Sequence, residues 1–158
     1  MLGLVNALAV FLFCLLAALS IAAFAALPNK LPTMDNLFLY FAIFIVERSL
    51  FTILSLDLQR LVLNDRLDLY ICGLVGRAIT FPILLLLFVN LFHEGRTALT
   101  RWLGSLSVLA ALNVVLWLGH NWGIAKYANW TSLDTFLLFL LLMLVSLALK
   151  RGYQLITQ

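Results

Sequence analysis

Three ionisable side chains interrupt otherwise apolar runs: Glu47 and Arg48 within Leu37–Leu56, and Arg77 within Leu69–Phe92. At bilayer depth a carboxylate and two guanidiniums can pair with each other, hold an anionic headgroup or solute, or form part of a proton pathway. A charged group at the centre of a membrane helix costs about 2.5–3.5 kcal/mol on insertion scales. A bundle keeps such groups only where they face protein, water or a ligand, so by default they mark a functional site. Arg48, Thr52, Ser55 and Gln59 follow i, i+4, i+7, i+11, which is one stripe of a helix. Tyr70, Gly73, Arg77 and Thr80 make a similar stripe, with Gly76 nearby, and the glycines allow close helix approach.

The simplest packing sets these two stripes against each other or around a shared polar cavity. Glu47 lies about 100° round the helix from Arg48. It can therefore pair with Arg77, which leaves Arg48 in need of another acceptor. Three readings stand side by side. The polar set is a structural ion pair and hydrogen-bond network. Alternatively, the helix carrying Glu47 reaches Leu63, Asp57 and Arg60 lie in an interfacial turn, and Glu47 becomes shallower. In the third reading the set lines a cavity with surplus positive charge. Asn113, in the middle of a later run with Ser105 and Ser107 nearer one end, is expected to hold helices together, at about 0.6–2 kcal/mol per bond.

The elements that must position these residues follow from composition. Of 158 residues, 65% are hydrophobic and 11% charged, and the mean hydropathy is +1.11. Soluble domains are about 45–50% apolar and about 25% charged. A water-soluble globule is excluded, and so is a disordered chain, which would be polar. A membrane helix needs about 20 mostly apolar residues. Five runs qualify, at about 2–27, 37–56, 69–92, 102–119 and 131–149. They are continuous and Leu/Ala-rich, without the alternation of an outer-membrane barrel. The expected fold is all-α, a single polytopic transmembrane bundle of five helices. The first run lacks a basic n-region and is far longer than a signal's apolar core, so it reads as a retained helix.

Punctuation supports these spans. Pro28 and Pro32 end the first, and Asp35 or Asn36 can cap the second. Asn64-Asp65 marks a turn, and Asp68 suits the positive end of the third helix. His93-Glu94-Gly95 ends that helix, with the glycine as a left-handed cap. Thr131 and Asp134 have capping-box spacing, which accounts for Asp134 without a functional role.

The loops carry Lys30, Arg96, Arg101, Lys150 and Arg151 on one side, and Arg60, Arg66 and Lys126 on the other. That bias favours an outside N-terminus and a cytoplasmic C-terminus. Trp117, Trp122, Tyr127 and Trp130 cluster where rings can sit among headgroups. The scattered basic residues form no nucleic-acid footprint.

No loop exceeds about a dozen residues, so no soluble catalytic domain fits. His93 and Glu94 fall on the opposite face from His120, so they cannot share a metal site. Cys14 and Cys72 read as small buried apolar residues. No phosphate loop, zinc motif or nucleophile elbow appears, and neither catalytic residues nor a cofactor are expected.

Several features resemble a family of small, uncharacterised five-helix membrane proteins of spore-forming Firmicutes. They are Phe81-Pro82 inside the third helix, a short basic loop before the fourth, the run Gly119 to Ser132 containing Ile124-Ala-Lys-Tyr127-Ala-Asn129-Trp130, and a last helix ending in Lys150-Arg151. A glycine between Asn129 and Trp130 and a histidine in the last helix are missing from that pattern. The resemblance implies a multi-pass protein of the bacterial cytoplasmic membrane and transfers no catalytic residue.

Short loops, plain first and last helices and no catalytic set point to a non-enzymatic accessory, assembly or sensory subunit. Its expected partners are the lipid bilayer and another membrane protein or itself. The alternative is a small oligomeric transporter or channel-like protein built on Glu47, Arg48 and Arg77 and open to an anionic lipid or solute. A lipid-modifying enzyme ranks third.

Overall fold

The computed structural model describes residues 2–27, 31–92, 97–128 and 130–157. Among them, five helices are long and apolar enough to cross a membrane: Asn6–Ala26, Thr33–Asp57, Leu67–Leu91, Ala98–Asn121 and Ser132–Ile156. The protein is an all-α, five-helix bundle of the multi-pass membrane type.

Helix α1 (Leu2–Ala26) buries Ala9, Phe13 and Ala17 on one face. Helix α2 (Thr33–Thr52) starts after Pro32, which stands in an extended conformation (ψ 153°) and makes no side-chain cap. Neither Asp35 nor Asn36 caps it, in contrast to the sequence expectation. Asp35 lies in the first turn, and Asn36 turns inward to donate to the Leu31 carbonyl at 3.1 Å.

The second span continues as a π-helical turn, Ile53–Asp57. It stops when Gln59 enters the left-handed region (φ 49°) and the Arg60 N–H returns to the Leu54 carbonyl at 2.9 Å. The helix therefore does not reach Leu63. Leu61–Leu63 (β1) instead pairs antiparallel with Ala125–Tyr127 (β2), with Val62 opposite Lys126. Asn64 locks this two-stranded ribbon: its backbone N–H donates to Ile124, and its side-chain amide donates to Gly123 at 2.8 Å. Five-span topology puts these two loops on the same side of the membrane, so their pairing closes that end of the bundle.

The third span is built from α3 (Leu67–Val75), a π-helical turn (Gly76–Thr80) and α4 (Phe81–Leu91). It is 67% buried, against 22–33% for the other four, and it packs on all of them. It is the axis of the bundle. Pro82 has no N–H to return to the carbonyl one turn back, that of Ala78. The Tyr40 hydroxyl of α2 donates to that carbonyl at 2.9 Å, so a neighbouring helix satisfies the group the proline released.

Helices α5 (Ala98–Asn121) and α6 (Ser132–Thr157) are both longer than the apolar runs alone indicated. Their polar ends extend them, with Thr97 capping α5 and Lys150-Arg151 prolonging α6. The Thr131–Asp134 box forms: the Thr131 N–H donates to Asp134 Oδ2 at 2.8 Å, and the Asp134 N–H donates to Thr131 Oγ1 at 3.3 Å. His93, Glu94 and Gly95 lie outside the described residues.

Candidate functional site

Helix α2 has two faces. Asn36, Leu39, Ile43, Glu47 and Phe51 recur at helical spacing and are buried. Phe41, Ile45, Ser49 and Thr52 recur on the opposite side and are exposed, with Arg48 half-buried beside them. One residue step thus separates an inward carboxylate from an outward guanidinium.

Glu47 is fully buried, two residues beyond the midpoint of Thr33–Asp57, or about 3 Å along the axis. Arg77 is equally close to the midpoint of Leu67–Leu91. The two spans run antiparallel, so these depths coincide. Arg77 Nε stands 3.8 Å from Glu47 Oε1. That is an ion pair without a hydrogen bond, because the separation exceeds hydrogen-bonding reach. The Arg77 guanidinium also lies over the Phe51 ring, 4.8 Å from its centroid. Phe51 stacks on Phe81, and Phe81 meets Phe139 edge-on at 5.3 Å. The charged pair is therefore seated on an aromatic ladder joining α2, α4 and α6.

Arg77 and Thr80 both stand in the π-helical turn, a distortion frequent at functional sites. Four buried polar atoms here make no hydrogen bond among the described residues: both Glu47 carboxylate oxygens, Arg77 Nε and Thr80 Oγ1. Buried polar atoms are normally paired, so this concentration sets the site apart from the rest of the core. On the ribbon side, Arg77 borders a cavity of about 20 Å³ roofed by Leu63, Ile124 and Ala125.

The structure brings together Glu47 and Arg77, buries Thr80 in the same π-helical turn as Arg77, and leaves the other sequence candidates elsewhere. Ser55 is half-buried in the first π-helical turn, Thr52 is exposed, and Gln59 is outside the helix altogether. The π turn and the left-handed residue break the stripe that an ideal α-helix would have continued. Among the described residues Asn113 does not bridge helices as expected. Its amide donates to the Leu109 carbonyl of its own helix at 2.8 Å, and Ser105 and Ser107 likewise bond one turn back. Asn113 instead edges an open groove of about 650 Å³ with Trp117, His120, Trp130 and Thr135. Cys72 is buried, and Cys14 is exposed on the apolar exterior rather than buried as expected. No group of three or more metal-ligating side chains occurs among the described residues.

Beyond the ion pair, interhelical hydrogen bonds come from amides outside the two predicted polar stripes. Asn90 donates to Asn36 Oδ1 at 2.8 Å, tying α4 to α2 at the end opposite the ion pair. The Asn6 amide donates to Asp68, tying α1 to α3. Isolated amides inside apolar runs were the available signal for both.

Compared with family models, curated proteins and solved structures, the chain matches none of them.

Proposed function

We propose that this protein is a non-enzymatic accessory, assembly or sensory subunit of a larger membrane complex. Its proposed home is the bacterial cytoplasmic membrane, with the N-terminus outside and the C-terminus inside. The observation that carries this reading is Arg48. Its guanidinium lies near mid-membrane on the outward face of α2, three residues past the span midpoint. The Asp57 end of the span is nine residues, or about 14 Å, away, which a snorkelling side chain covers only in part. Among the described residues it lies 5.9 Å from the Phe44 ring centroid, and it feels the Glu47 and Arg77 charges only at longer range, with no carboxylate within salt-bridge distance.

An outward charge at this depth calls for an acceptor on another molecule. A partner transmembrane helix carrying a carboxylate, or an unpaired backbone carbonyl, supplies it. Ser49 and Thr52 beside Arg48 give such a helix further hydrogen-bonding groups.

The test is gentle purification of a tagged copy from its native membrane, with mass spectrometry of what accompanies it. The expected result is a stoichiometric membrane partner that is lost in Arg48→Leu while the chain stays inserted and folded. A chain that emerges alone, or a partner retained fully by Arg48→Leu, removes the reading.

A second reading is a small oligomeric transporter. It is favoured by the four buried polar atoms of Glu47, Arg77 and Thr80 that make no hydrogen bond among the described residues. Its test is flux in proteoliposomes, abolished in Glu47→Gln with the bundle intact. A Glu47→Gln chain that transports normally ends it.

A further inference from the structure

At the end of the bundle opposite the ribbon, the first turns of α5 face the last turns of α6. Arg101, Lys150, Arg151 and Gln154 surround a pocket of about 90 Å³, floored by Phe92 and Leu147. The Arg101 guanidinium lies over the Phe92 ring, 5.9 Å from its centroid, which holds it at the pocket rim. Phe92 and Leu147 also line a second space, an apolar groove of about 220 Å³ running between the same two helices. Leu106 and Leu109 form its α5 wall, and Leu140, Met143 and Leu144 its α6 wall. The two compartments therefore adjoin, one basic and one apolar.

Their dimensions fit one kind of molecule. Arg101 and Leu109 are eight residues apart on α5, a rise of about 12 Å. The hydrocarbon depth of one leaflet is about 15 Å, half of the bilayer core. The basic pocket lies at the helix ends, where headgroups are, and the groove descends from it towards mid-membrane.

We infer that this groove is a binding site for an anionic glycerophospholipid. The headgroup phosphate is held by Arg101 and Arg151, and one acyl chain lies along the α5–α6 groove. Guanidinium forks match phosphate oxygens, and each basic side chain near an anionic surface contributes a several-fold gain in affinity. The site is separate from the Glu47–Arg77 pair and does not depend on the function proposed above.

The test uses the full-length chain in detergent micelles, with native mass spectrometry of retained phosphatidylglycerol against phosphatidylcholine. The wild-type chain retains phosphatidylglycerol in preference. Arg101→Gln/Arg151→Gln lowers that retention, by about fivefold for each cation lost, to the phosphatidylcholine level. Arg60→Gln/Lys126→Gln removes the same charge from the other end and leaves retention unchanged. Leu144→Trp, at an exposed groove position, lowers retention of both lipids. Thermal unfolding of each variant keeps loss of binding distinct from loss of fold. Equal retention of the two lipids by the wild-type chain overturns the assignment. So does unchanged retention in a folded Arg101→Gln/Arg151→Gln chain, or an equal loss in Arg60→Gln/Lys126→Gln. Displacement of the lipid by millimolar inorganic phosphate marks a free-anion site and also overturns it.

Discussion

Glu47 and Arg48 are adjacent in the chain and nearly equal in depth, yet the bundle treats them in opposite ways. Glu47 is fully buried and meets Arg77 across the seam between α2 and the π-helical turn of the third span. Arg48 turns about 100° away to a face shared with exposed Ile45, Ser49 and Thr52. Bilayer depth makes both charges costly, so depth cannot explain the difference. The difference lies in where the compensation comes from. Glu47 has an internal countercharge and an aromatic seat around it. Arg48 acts on that pair only through its field, and among the described residues its one direct contact is the Phe44 ring.

The comparison breaks first at the ion pair. Removing one member leaves a buried charge without its partner, which costs about 3–5 kcal/mol. Arg77→Leu should therefore unfold in detergent well before the wild-type chain, as followed by helicity during thermal or denaturant titration. Glu47→Leu/Arg77→Leu removes both charges together and should regain most of that loss, because apolar replacement of a whole buried pair is often neutral. A double variant as unstable as Arg77→Leu would show that the pair is not what couples these helices.

A smaller effect is expected at Tyr40, an internal polar contact with no charge. Tyr40→Phe removes the donor to the Ala78 carbonyl and should cost about 1 kcal/mol. The bond exists to serve a carbonyl that Pro82 cannot satisfy. In a Pro82→Ala background an amide N–H becomes available, so the same substitution should cost close to nothing. Equal costs in the two backgrounds, read as a double-mutant cycle, would separate the hydroxyl from the proline.

The sequence made the bundle legible because its apolar runs are long and its prolines and capping residues stand at their ends. Pairing of Glu47 with Arg77 was also legible, since one carboxylate and two guanidiniums at one depth leave few combinations. The polar stripe from Arg48 to Gln59 was not, because an i, i+4 rule assumes an unbroken α-helix. The π-helical turn at Ile53–Asp57 adds a residue to the repeat, and Gln59 leaves the helix. Asn113 misled for another reason: an amide can satisfy itself on its own helix, and spacing does not say which carbonyl it chooses. The ribbon escaped because two three-residue strands in separate loops carry almost no periodicity.

At the exposed start of α6, the Thr131–Asp134 box tests a polar contact in water rather than in the core. Thr131→Ala removes the side-chain acceptor of the Asp134 N–H, and loss of such a cap costs about 0.5–2 kcal/mol. The low end of that range is expected here, since the freed N–H can turn to solvent. A loss as large as that of Arg77→Leu would mean that the loop-to-α6 junction, and not the Glu47–Arg77 seam, governs the stability of the bundle.

The smallest effect on the isolated chain should come from the residue that motivates the functional proposal. Arg48→Leu breaks no ion pair among the described residues and deepens no cavity, so its stability in detergent should change by no more than about 0.5 kcal/mol. In a bilayer the same change removes an outward charge, so insertion of the chain should improve if anything. The two adjacent residues would then differ by several kcal/mol in what their loss does to the fold. An Arg48→Leu chain that unfolds as readily as Arg77→Leu would place Arg48 inside the same network. The outward face of α2 would then have no demand left for a partner to meet.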